Sequence, residues 1–238
     1  MIEMNRVSHQ FSIGKKGKER IVPVLHDIDL RVEEGEIVAI VGRSGSGKST
    51  LLNLLSGYIR PTSGTIRLAD RNVTGLSEGD WSNFRLKHLG FMFQSFQLIP
   101  SMTAFENAEL PLVLQGIGIA ERRRRVMTLL EQVGVAEYAG HYPGELSGGQ
   151  QQRVSVARAL MLNPPIVLAD EPTGSLDSDN ERQLLNLIRR LNADLGITFV
   201  LITHDEQVAA IARRTIALKD GYLSNAPGKG AVSTDEIH

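Results

Sequence analysis

Glu36-Ile37-Val38-Ala39-Ile40-Val41-Gly42-Arg43-Ser44-Gly45-Ser46-Gly47-Lys48-Ser49-Thr50 is the stretch that decides the fold. Ile37–Val41 is a short apolar run rich in β-branched residues, the pattern of a strand buried on both faces of a parallel sheet. Gly42–Ser49 fits the spacing G-x-x-x-x-G-K-[ST]. Behind it, Ser49–Ser56 carries apolar residues at helical spacing. Small residues let backbone N–H groups curl around phosphates, and a helix starting there aims the positive end of its dipole at the same anion. Lys48 adds a full positive charge for the β- and γ-phosphates, and the Ser49 hydroxyl is suited to Mg²⁺. A chance glycine-rich turn is the alternative, and it leaves the strand before and the helix after unexplained. The expected ligands are ATP and Mg²⁺.

Working outward, Ile166-Val167-Leu168-Ala169-Asp170-Glu171 puts two carboxylates at the C-terminal end of another apolar strand. Ligands of open α/β sheets bind at that end. Asp170 is the candidate metal ligand and Glu171 the candidate general base for the attacking water. A strand closing in a charged turn is the plainer reading. A third segment, Leu146-Ser147-Gly148-Gly149-Gln150, precedes a helix read over Gln151–Leu162. Ser147 is placed to cap that helix, and exposed amides beside flexible glycines would make a second anion site. A helix cap and nothing more is the alternative.

With Gln151-Gln152-Arg153 behind it, this third segment resembles the signature of ABC-type ATPases, as do the phosphate loop and Ala169-Asp170-Glu171-Pro172-Thr173-Gly174-Ser175-Leu176-Asp177. The resemblance extends to about Leu223. It is nearest to the ATPases of lipoprotein-release, macrolide-export and antimicrobial-peptide-resistance transporters. It implies a P-loop NTPase of α/β class, a RecA-like core with an N-terminal antiparallel β segment and an inserted helical signature subdomain. Residues 1–224 would form the ATPase domain, 97–161 the helical subdomain, and 225–238 a flexible tail.

The resemblance also implies roles. Gly42, Arg43, Ser44, Gly45, Ser46, Gly47, Lys48, Ser49 and Thr50 would hold one ATP. Ser147, Gly148, Gly149 and Gln150 would hold the ATP of a second copy, identical or closely paralogous. Gln94 is the expected glutamine that senses metal and water and touches a transmembrane permease, with Gln97 as its competitor. Ser49, Gln94 and Asp170 form the expected metal set. Asp177 would cross the dimer interface. His204 would contact the γ-phosphate, where a lone His after a strand is otherwise structural. Phe11 would stack on adenine through its π face, a core phenylalanine being the alternative. Catalysis would rest on Glu171, His204, Lys48 and Gln94.

The 238 residues suffice for one large α/β domain. The net charge of −1 gives no support to a nucleic-acid binder. No cysteine is present, which excludes disulfides, thiolate metal sites and Cys nucleophiles. No stretch approaches the roughly 20 apolar residues of a membrane span, and Met1–Arg6 lacks the apolar core of a signal peptide. The expected location is therefore peripheral, on the cytoplasmic face of the membrane, with the spanning part in another chain. Arg122–Arg125 reads as a solvated helix face, RNA or lipid contact being the alternative, and Gly14–Arg20 as a solvated hairpin turn. That turn is also similar to Gram-positive relatives linked to acetoin use and cell-wall antibiotics.

Further strands are read at Ile2–Val7, Val22–Leu30, Thr65–Leu68, Gly90–Phe93 and Thr198–Ile202, with a hairpin at Thr215–Leu223. Helices are read at Trp81–Leu89, Ala104–Gln115, Glu121–Val133, Asn180–Leu195 and Glu206–Ala212. Only about a hundred residues, without heptads, separate phosphate loop and signature, too few for the coiled coil of a chromosome-maintenance ATPase. The resemblance implies a subunit that powers export or extraction of a lipophilic, peptide or antibiotic substrate. The rival is an ATPase of the same type that transmits force or signal across the membrane without transport.

Overall fold

The computed structural model describes residues 1–15 and 18–225. The expected tail lies outside them, apart from its first residue, as does part of the basic turn. Strands β1 (Ile2–Ile13) and β2 (Arg20–Val32) form a long antiparallel hairpin. Apolar alternation buries Ile2, Met4 and Val7 against Leu25, Ile28, Leu30 and Val32. The pairing register shifts between Met4 and Val7, where Arg6 takes a left-handed φ of 45°. That irregularity bends the sheet around its core. After β3 (Ile37–Val41) and helix α1 (Lys48–Leu55), strand β4 (Ser63–Leu68) returns to pair with β1, and the two-residue β5 (Arg71–Asn72) closes the order β2-β1-β4-β5.

Helix α2 (Glu78–His88) precedes β6 (Leu89–Phe93). The expected helix Trp81–Leu89 is thus displaced: Ser77 caps its start by accepting from the Asp80 N–H, and Leu89 is already extended. Helices α3 (Ala104–Leu114), α4 (Ile119–Gln132) and α5 (Gly148–Leu160) follow, with 3₁₀ turns at Ala136–Tyr138 and Pro143–Glu145. Then come β7 (Ile166–Asp170), α6 (Ser178–Leu195), β8 (Thr198–Thr203), the single turn α7 (Glu206–Ala209), β9 (Arg214–Lys219) and β10 (Tyr222–Asn225).

The second sheet has the order β10-β9-β3-β8-β7-β6, parallel except for β10. Alternate side chains of its strands serve two cores. Val38, Ile40, Ile166, Leu168, Val200 and Ile202 face α1, α2 and the antiparallel sheet. Ile37, Val167, Ala169, Phe199 and Leu201 face α5 and α6.

The arginine run on α4 is mostly paired. Arg124 and Arg125 hydrogen-bond Glu121 and hold its carboxyl down at about 2, against its ordinary 4.5. Arg122 reaches across to Glu109 of α3 at 2.6 Å and donates to the Ile117 carbonyl at 2.9 Å. This pair is largely buried, and losing one member strands the other in a poor solvent. Glu109→Ala is expected to cost about 1–3 kcal/mol of unfolding free energy, read by urea titration. A loss no larger than that of an exposed Glu→Ala change would show the pair to be dispensable.

Candidate functional site

The strand registers bring one edge of the parallel sheet together. Val41 at the end of β3 lies opposite Thr203 of β8 and Ala217 of β9. Asp170 at the end of β7 lies between Phe93 of β6 and Ile202 of β8. Gly42, Gln94, Glu171 and His204 therefore all leave the sheet at the C-terminal edge where ligands bind.

The glycine-rich loop leads into α1, whose N-cap Gly47 (φ 106°) offers no side chain to the first amides. With no acid in the first turn either, those N–H groups are available to an anion. Lys48 Nζ donates to the carbonyls of Gly42 at 2.6 Å and Arg43 at 3.2 Å, folding the charge back over the loop. A cavity of about 700 Å³ opens beside it, lined by Gly42–Ser46, His204 and the turn residues Lys219 and Asp220. Its size suits a small-molecule ligand. The Ser46 hydroxyl is buried with no protein partner. The turn between β9 and β10 belongs to the hairpin read from the sequence, and Asp220-Gly221 is a hairpin-turn signal, but nothing in the local spacing announces its place in the cavity wall.

Asp170 and Glu171 stand at the mouth of β7. Burial pushes the Asp170 carboxyl above its ordinary value and the neighbouring Glu171 adds to this, while Lys48 works against both. Such an acid is improved by a cation beside it. Hard oxygen donors at Asp170 and Ser49 match Mg²⁺, but among the described residues no group of three or more His, Cys, Asp or Glu could cage a metal. Phosphate oxygens would have to complete the coordination.

Glu171 sits at a left-handed φ of 46°, with its N–H on the Ile202 carbonyl. One carboxylate oxygen accepts from the Thr203 hydroxyl at 3.0 Å, and the other lies 2.7 Å from His204 Nδ1. The His204 ring is otherwise open to solvent.

Gln94 leaves β6 at the same edge, its amide making a long contact of 3.5 Å with the Gly174 carbonyl. Gln97 bonds locally to Ser95 at 2.7 Å and lines a different groove. Between them and α3 the chain turns through Phe96 and Gln97, both left-handed. Arg158 of α5 donates to their two carbonyls at 2.9 and 2.6 Å, and burial draws its pKa below the ordinary arginine value.

Ser147 and Gln150 are not brought into this cavity. They form a reciprocal cap at the start of α5: Gln150 N–H to Ser147 Oγ at 3.3 Å, Ser147 N–H to Gln150 Oε1 at 2.7 Å. The helix opens at Gly148, earlier than the spacing predicts. Gly149 is helical and buried there. A Cβ on it would stand 2.0 Å from Asn180 Oδ1, so close packing of α5 on α6, not flexibility, is its local requirement.

Asp177 caps α6 through the amides of Asp179 and Asn180. The bonds to Asn180, backbone first, hold its carboxyl below the ordinary range. Phe11, near the end of β1, is 38% exposed, which rules out the core reading. It meets His9 edge-on at 4.6 Å and does not line the cavity.

A glycine-rich loop feeding a helix from the middle of a parallel sheet, with an acidic pair at the next-but-one strand end, defines a P-loop nucleoside triphosphatase. The sequence pattern of the ABC transporter family matches residues 25–174, and the chain belongs to that family. It is 57% identical over 235 residues to the ABC transporter ATP-binding protein YtrE of Bacillus subtilis (strain 168), covering 99% of this chain and all of that one. It is 48% identical over 223 residues to the macrolide export ATP-binding/permease protein MacB of Burkholderia thailandensis, spanning 94% of this chain but 33% of that longer one. Among solved structures, the ATP-binding cassette MJ0796, a dimeric post-hydrolysis state bound to ADP and Pi, superposes with a TM-score of 0.85. That chain is 40% identical and wholly covered, against 96% of this one. The protein is an ATP-binding, ATP-hydrolysing subunit of the ABC type.

Proposed function

We propose that two copies close around two Mg–ATP and drive a separate membrane permease that exports or extracts a lipophilic, peptide or antibiotic substrate. The observation that carries this reading is the presence of two helix N-termini suited to anions on one chain, at α1 and α5, with no shared cavity. Head-to-tail pairing gives both a use. MJ0796 is dimeric, which supports the arrangement.

In this reading the amides of Gly42–Ser49 and Lys48 bind the phosphates, and Phe11 takes the adenine. Ser147–Gln150 of one copy caps the ATP of the other, and Asp177 follows it across the interface. Ser49, Asp170 and Gln94 would hold Mg²⁺, which when bound neutralises charge on the β- and γ-phosphate oxygens. Glu171 takes the proton of the attacking water, and His204 turns from Glu171 to the γ-phosphate. Among the described residues no helix is long and apolar enough to cross a membrane. The permease contact falls to the groove of about 660 Å³ between α2, β6, α3 and α5, lined by Tyr58, Phe91, Leu110, Leu114, Gln97 and Arg158. In this reading the ATPase sits peripherally, on the cytoplasmic face of the membrane.

Light scattering tests the pairing. The Glu171→Gln chain should be single without nucleotide and double in saturating Mg–ATP, and adding Ser147→Arg should abolish the doubling. A chain that stays single in Mg–ATP, both free and with its permease, ends the proposal.

A further inference from the structure

Thr203, the last residue of β8, is fully buried and has no part in the roles assigned above. Its hydroxyl is used twice. Oγ1 accepts the Asp205 N–H at 3.0 Å and donates to Glu171 Oε2 at 3.0 Å. A local hydroxyl turn would account for the first bond, two residues on. It does not account for the second, to a residue 32 positions earlier. The chain Asp205 N–H, Thr203 O–H, Glu171 carboxylate runs in one direction, so each bond polarises the next.

The two oxygens of Glu171 are thus held differently. Oε2 has the buried hydroxyl and a longer contact of 3.4 Å from the His204 N–H, both from the rigid end of β8. Oε1 has only the ring of His204, a side chain 73% open to solvent and free to turn. Among the described residues these are the carboxylate's hydrogen-bond partners.

We propose that Thr203 is a positioning residue that anchors Glu171 through Oε2, leaving Oε1, once His204 releases it, as the atom that accepts the proton of the attacking water. The step balances within ATP hydrolysis. Water gives its proton to Oε1 and its oxygen bonds the γ-phosphorus. The bond from that phosphorus to the β–γ bridging oxygen breaks, and its electron pair leaves with ADP. The inference rests on the reading of Glu171 as the base.

The test is steady-state ATP hydrolysis by the full chain carrying Thr203→Val and Thr203→Ser, with KM and thermal midpoint measured alongside. Val keeps the shape and removes the hydroxyl. It should lower kcat about ten- to a hundredfold, with KM and midpoint close to the parent's. Ser restores the hydroxyl and should return kcat to within about threefold. If Val does not fold, Thr203→Ala is read the same way. Unchanged kcat in the hydroxyl-free variant, or a Ser variant as slow as Val, overturns the proposal. Glu171→Gln separates the two ideas. Normal turnover there removes the base itself, whereas a dead Glu171→Gln beside an active Thr203→Val removes only the anchor.

Discussion

Glu171→Gln is expected to cut the rate of ATP hydrolysis by about 10²–10⁴-fold, or roughly 3–5 kcal/mol of barrier, while ATP still binds. Gln matches Glu in size and offers a carbonyl oxygen to the Thr203 hydroxyl, so the local packing survives. It has no oxygen that accepts a proton from water. The substituted side chain follows β7, two strands along the sheet from the phosphate loop after β3, which is why affinity should persist where turnover fails. Phosphate release against time, with bound ATP measured separately, checks both halves. A variant that hydrolyses ATP at the parent rate would remove Glu171 from the chemistry.

Gly221→Ala is the second large effect, and it acts on folding. Gly221 has φ 81°, and an added Cβ would stand 2.3 Å from the backbone oxygen of Val24 and 2.8 Å from the His26 ring. Neither neighbour yields easily. The Val24 oxygen is main chain, and the His26 ring is stacked on Tyr222 at 4.7 Å. Left-handed strain and the forced displacement together should cost about 2–4 kcal/mol.

The same residue donates its N–H to the Ser46 carbonyl at 3.2 Å and accepts from the His26 N–H at 2.9 Å. It therefore ties the phosphate loop to β2. ATP affinity should fall by about tenfold as that tie is displaced. Gly116→Ala is the control: its φ is 71°, but nothing lies within 4 Å of the new Cβ. It should show only the backbone part, about 1 kcal/mol. Equal losses at 221 and 116 in urea titrations would mean that close approach to Val24 is harmless.

The parts of the fold that the sequence announced are those specified locally. Ile37–Val41, Ile166–Ala169 and Phe199–Ile202 are apolar throughout, and the chain leaves them at Gly42, Asp170 and Thr203. Ser147 and Asp177 cap the helices that follow them through bonds to residues two or three positions on, which spacing alone makes readable.

What was not legible depends on distant partners. Thr203 looks like a strand residue until Glu171 arrives beside it. Arg122 looks solvated until α3 presents Glu109, whereas Arg124 and Arg125 have their acid on the same helix turn. Gly149 looks flexible until Asn180 closes on it. Arg71–Asn72 is too short and polar to signal a strand, and it exists because β4 offers an edge. The start of α2 is signalled by Ser77 and Asp80, ahead of Trp81, where the apolar spacing begins.

The Arg158 clasp has a mechanical meaning. Its guanidinium grips two successive carbonyls just past Gln94, and its own backbone belongs to the helix that Ser147 begins. Any pivot of that helix must drag the Gln94 turn with it, as a rod pulls a crank pin. The linkage is reciprocal: whatever coupling free energy the clasp carries from the helix to the turn, it carries equally from the turn to the helix.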